Sequence, residues 1–169
     1  MQLRLVLALA LPLAACGGDD ADSSCGPDGH AHAAAGSGSG EVAGAPFGDF
    51  HRAALLVTPP TLGNAQLSIV LDESAGACGQ PGTTGRRLVL GFCDTPSPGD
   101  YAVVAPGALV CPPDAPRISA LIEEADGTDL LAPTGMMTIT YAGGCVAGTF
   151  LIDIGGTKFD GDFDATVCD

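Results

Sequence analysis

Cys25, His30 and His32 form a Cys-x4-His-x-His pattern, the arrangement of this chain that comes closest to a transition-metal site. A thiolate and two imidazoles suit zinc or copper, but such a site also needs a fourth ligand and outer partners that orient the imidazoles. A polar strip without a fold supplies neither, so no metal is expected there. Asp160, Asp162 and Asp164 offer a second set of oxygen donors. An EF-hand loop requires glycine at its sixth place and glutamate at its twelfth, whereas Ala165 follows here and the sequence stops at Asp169. Three alternating carboxylates in a strand simply line a solvated face, so calcium is not expected either. For catalysis, His51 is the only histidine beyond the N-terminal strip. It is expected as a half-buried strand residue rather than a base. Ser68, Ser74, Ser97 and Ser119 stand in no Gly-x-Ser-x-Gly elbow, and no His-Glu-x-x-His helix is present. Glu73 with Asp100 or Glu123 could form the carboxylate pair of a glycosidase. With no Trp and two Tyr, little is left to stack on a sugar ring. The expectation is a chain with no catalytic residues, no metal and no cofactor.

A thiol of another kind stands near the N-terminus. Arg4 precedes an apolar run from Leu5 to Ala15, which ends in Leu13-Ala14-Ala15-Cys16. A cation ahead of a short apolar stretch is a secretory signal. The run is about half of the roughly 20 residues a spanning helix needs. Its end matches the bacterial lipobox: a branched apolar residue, two small residues that fit a peptidase cleft, and the cysteine that receives lipid. The chain thus resembles a bacterial lipoprotein precursor over its first 16 residues. The resemblance implies cleavage before Cys16, a diacylglyceryl thioether on that residue, and usually an acylated amino group. Each buried methylene contributes about 0.8 kcal/mol, so two or three chains make a durable anchor where one does not. Gly17 is not the Asp that typically retains such proteins in the inner membrane of enterobacteria, so the outer membrane is preferred. The acidic tract Asp19, Asp20 and Asp22 resembles surface-export signals and fits a solvated linker equally well.

The elements that would carry any of this chemistry follow from composition. Loss of residues 1–15 removes Arg4 and leaves five cations against twenty carboxylates, a charge of −15. Phosphate would be repelled, which excludes nucleic acid as a partner and disfavours adsorption to anionic lipid. Residues 16–44 are mostly Gly, Ala, Ser, Asp and His with almost no large apolar residue, including Gly36-Ser37-Gly38-Ser39-Gly40, and read as a flexible, disordered tether. Residues 45–169 read as one all-β domain, an antiparallel sandwich or small barrel, because short period-two segments lie between Gly and Pro turn signals. Strands are expected at 50–57, 67–72, 88–92, 100–105, 117–124, 137–141, 146–154 and 158–167, with 118–124 open to a helical turn. Gly155-Gly156 suits a two-residue hairpin turn. Pairing Ile154 with Thr157 places Ile152 opposite Phe159, Phe150 opposite Gly161 and Val146 opposite Ala165, with Asp153 meeting Lys158 outside. A slip of one residue would mix the apolar and acidic faces.

If Cys16 takes lipid, six cysteines remain, an even number that suits disulfides in an exported chain. Cys145 and Cys168 sit diagonally across the expected hairpin, both on its outer face, and are the first candidate pair. Cys78 with Cys93 is the second. Cys25 lies in the tether and must fold back or stay free. Across 46–169 the layout also resembles small β-domains of cell-envelope lipoproteins. Pro98-Gly99-Asp100-Tyr101, the run 135–140, Gly148-Thr149-Phe150, the run 161–165 and Cys168 carry that likeness. It implies an envelope setting and no activity. The leading expectation is a lipid-anchored protein with a noncatalytic binding or structural β-domain, whose protein or glycan partner is open. A metal-handling lipoprotein and a small extracytoplasmic hydrolase are the rivals from other classes.

Overall fold

A computed structural model describes residues 35–57, 64–74 and 85–167. The alternating segments become strands that close on themselves. β1 (Ala35–Ser39), β2 (Glu41–Val42), β3 (Ala45–Pro46) and β4 (Asp49–Phe50) lead into β5 (Arg52–Val57), β6 (Leu67–Asp72), β7 (Arg87–Phe92) and β8 (Gly99–Val104). β9 (Arg117–Glu123), β10 (Asp129–Ala132), β11 (Thr134–Ala142), β12 (Cys145–Ile154) and β13 (Thr157–Val167) follow. Hydrogen bonding runs β5-β6-β7-β9-β8-β11-β12-β13 and returns to β5, a closed eight-stranded barrel. Closure removes the exposed strand edges that a sandwich would have to protect. Two contacts in the ring, β8 with β9 and β13 with β5, are parallel; the others are antiparallel. The 118–124 segment is strand, because Ile118, Ala120 and Ile122 alternate into the core while Ser119 and Leu121 face out.

The β12–β13 hairpin takes the register its apolar alternation dictates, with Ile154 opposite Thr157, Ile152 opposite Phe159, Phe150 opposite Gly161 and Val146 opposite Ala165. The tether reading needs correction at its C-terminal end. Residues 35–39 form β1, paired with β13 from Ala35–Asp164 to Ser39–Asp160 and with β4 through Gly36–Phe50 and Ser37–Asp49. The fold therefore begins by Ala35 rather than at residue 45. The Gly-Ser repeat is a strand because its glycines lie against aromatic rings. A Cβ on Gly38 would stand 2.7 Å from Phe159 Cε2, and one on Gly161, across the ladder, 2.6 Å from Phe150 Cζ. The missing side chains let Phe47, Phe50, Phe150 and Phe159 cluster with centroids 5.0–6.2 Å apart. Fully burying a Phe is worth roughly 1.5–3 kcal/mol, which offsets the entropy lost in ordering glycines.

Parallel neighbours need a crossover, and the segment after β8 supplies it. It turns through a 3-10 element at Pro106–Ala108, packs against β9, and buries Leu109, whose carbonyl accepts from Asn64 Nδ2 at 3.0 Å. Cys111 then bonds to Cys93, just after β7, with Cα atoms 5.4 Å apart. Cys93 thus pairs with Cys111 and not with Cys78, since the crossover returns the chain to the end of β7. Cys145 is also disulfide-bonded and is buried despite its outward parity.

At the opposite end of the barrel Arg86 holds the N-terminal segment in place. Its Nε lies 3.1 Å from Glu73 Oε2, its guanidinium donates to the Pro46 carbonyl, and it stands 4.8 Å over the Phe47 ring.

Candidate functional site

The barrel interior is filled. Ile69, Leu71, Leu88, Leu90, Phe92 and Ile122 project inward and are fully buried, and Phe150, Phe159 and Phe163 complete the same cluster. An eight-stranded barrel is just wide enough to be closed by its own side chains, and this one is. Function has to be sought on its outside.

The sequence candidates are dispersed there. Glu73 pairs with Arg86, Glu123 with Arg87 at 2.5 Å, and Asp100 accepts from Thr138 Oγ1 at 2.7 Å, so each carboxylate has a separate structural partner. His51 is not half-buried. It sits exposed at the bend between β4 and β5, with Nε2 3.7 Å from Asp49 Oδ2. Ser68 and Ser119 are fully buried on the outward parity of β6 and β9, either side of Gly91. Ser74 donates to Asp72 at 2.6 Å, and Ser97 meets the Tyr101 hydroxyl. No three metal-ligating side chains converge among the described residues. Cys16, Cys25, His30, His32, Cys78 and Cys168 lie outside those residues.

Two regions of the outside are organised. The first is the outer face of β8, β11, β12, β13 and β1. Register aligns Asp100, Thr138, Thr149, Asp162 and Ser37 in one transverse row and Ala102, Met136, Leu151, Asp160 and Ser39 in the next. Ser37 Oγ donates to Asp162 Oδ1 across the β1–β13 ladder. Met136 and Leu151 are directly paired and 56% and 45% exposed, an apolar spot inside an acidic field. The sequence showed the alternating aspartates but not this spot, because only the β11–β12 register brings Met136 beside Leu151.

The second region is the disulfide-bearing end. A cleft of about 380 Å³ there is lined by Cys93, Asp94, Tyr101, Asp114 and Arg117 among others. Arg117 Nη1 lies 3.4 Å from Asp114 Oδ1, and Tyr101 donates to the Ser97 carbonyl at 2.8 Å. A neighbouring cleft of about 340 Å³ is mostly apolar, with Leu55, Leu67, Pro96, Val146 and Val167 in its wall.

No protein-family model, curated protein or solved structure matches this chain. At the disulfide end Arg117 pairs with Asp114 and Tyr101 with Ser97, while Glu73 and Glu123 lie in ion pairs and Asp100 and Asp162 accept hydrogen bonds across the ladder. Among the described residues, the candidate serines, the candidate carboxylates and His51 do not converge on one point.

Proposed function

We propose that the chain is an exported lipoprotein, anchored through lipid on Cys16, whose barrel is a noncatalytic binding or structural module of the cell envelope, with the outer membrane as the preferred location. The observation that carries this reading is the cysteine pattern. Leu13-Ala14-Ala15-Cys16 sets one thiol at a lipidation position. Cys93 and Cys111 are joined, and Cys145 is bonded as well. Disulfides persist in oxidising compartments, and an anchor behind a signal peptide would deliver the chain to one. The filled interior supports a module that engages partners through its exterior. Its acidity keeps the domain off phosphate and anionic lipid, leaving the acyl chains as its membrane contact.

Metabolic labelling with radioactive palmitate tests the reading. Label in the wild-type chain that disappears in Cys16→Ala, with the variant released from the membrane fraction, is the expected result. A Cys16→Ala protein that keeps its label or stays membrane-bound contradicts it.

A further inference from the structure

We propose that the outer face of β8-β11-β12-β13-β1 is a docking surface for a cationic amphipathic partner: a peptide or protein segment with Lys or Arg side chains around one or two apolar ones. The inference rests on the reading of the barrel as a binding module and names its partner class. Met136 and Leu151 form a directly paired apolar centre, extended by Ala102 on β8. Asp100 and Asp162 flank this centre in one row, Asp160 lies within its own row, and Asp153 stands in the row beyond. Lys158 is the one cation in these rows. Asp100, Asp160 and Asp162 have no cationic partner among the described residues. Their charges are therefore available to an incoming cation, and the half-exposed Met and Leu offer the area that makes a charge contact more than a passing encounter. A second copy of the chain would bring carboxylates against carboxylates, so self-association through this face is opposed. An anionic lipid surface is opposed for the same reason.

The chain has no Trp, so a probe peptide of alternating Lys and Leu with one central Trp reports binding by its own fluorescence. The full lipidated chain is held in zwitterionic nanodiscs, with empty nanodiscs as the blank. The expected result is a blue shift of the probe on binding, with Kd weakened at least tenfold by Met136→Ser with Leu151→Ser. Asp160→Asn with Asp162→Asn weakens it to a similar extent, and an all-Lys peptide with one Trp binds at least tenfold more weakly. Added salt at 0.5 M weakens the Lys/Leu probe, whereas Asp126→Asn, in the β9–β10 turn, leaves Kd unchanged. Thermal melts check that each variant folds. No binding of the probe by the folded wild-type chain overturns the proposal, while the anchored-module reading stands or falls separately on palmitate labelling. Binding that both double variants leave unchanged overturns it too and moves the binding surface elsewhere on the barrel. A loss with Asp126→Asn equal to that with Asp160→Asn and Asp162→Asn reduces the effect to net charge and likewise overturns it.

Discussion

β1 and the β12–β13 hairpin are hydrogen-bonded to each other, yet only one of them announces itself as a strand. The hairpin writes its structure in side chains: Phe150, Ile152 and Ile154 face Phe159 and Phe163 across a Gly-Gly turn, and a single register keeps the apolar set together. β1 is Ala-Gly-Ser-Gly-Ser, and its core-facing positions have no side chains at all. The burial there is done by the neighbours' rings, which lie on the glycine backbone. A strand can thus be specified by what its partners project over it. Composition then describes a flexible linker while the ladder describes an element of the barrel. One signal was present, the period-two alternation of Gly with Ser, whose serines face out and whose Ser37 reaches Asp162.

Phe159 belongs to both regions, and its loss should have the largest effect. Phe159→Ala is expected to destabilise the fold by about 3–5 kcal/mol, the usual cost of deleting a buried ring together with its cavity. Urea denaturation followed by far-UV circular dichroism measures it, and a cost below 1 kcal/mol would mean that the ring does not join β1 to the hairpin. A smaller effect separates the two faces of β1. Gly38→Val, which places atoms where the Phe159 ring lies, should cost about 1–3 kcal/mol. Ser39→Val, on the exposed face, should stay within about 0.5 kcal/mol. Equal costs would make residues 35–39 the linker their composition suggests.

The smallest effect is local to the β9–β10 turn. The Thr128 backbone N–H, 2.9 Å from Asp126 Oδ1, is the main cause holding that exposed carboxyl below the usual carboxylate range. A depressed folded-state value means that the bond's contribution is present above the unfolded value and is lost as pH falls through the lowered one. Carbon-detected NMR titration should find Asp126 protonating at lower pH than an unstructured aspartate; an ordinary midpoint would show that the turn does not hold its bond.

Most of the fold was legible because its strands bury one face each. Eight expected segments correspond to β4–β9 and β11–β13, with His51 breaking the first into β4 and β5. β10 was not legible: Asp129–Ala132 is too short to show a period, and its pairing with β9 depends on how the chain enters β11. The parallel closure of the barrel was also hidden, since alternation fixes which way a side chain faces and not which strand lies beside it. Disulfide pairing failed at Cys93 for the same reason, because the crossover that brings Cys111 to it is a feature of topology. On the surface, the acidic face of β13 could be read from Asp160, Asp162 and Asp164, but the Met136–Leu151 pair within the wider face needed the register of two further strands.

Mass spectrometry of nonreduced peptides from the membrane-extracted protein should find a mature N-terminus at Cys16 bearing a thioether-linked diacylglyceryl group, together with peptides joined through Cys93 and Cys111. A chain that begins elsewhere, or an unmodified thiol at Cys16, would contradict the lipid-anchored reading.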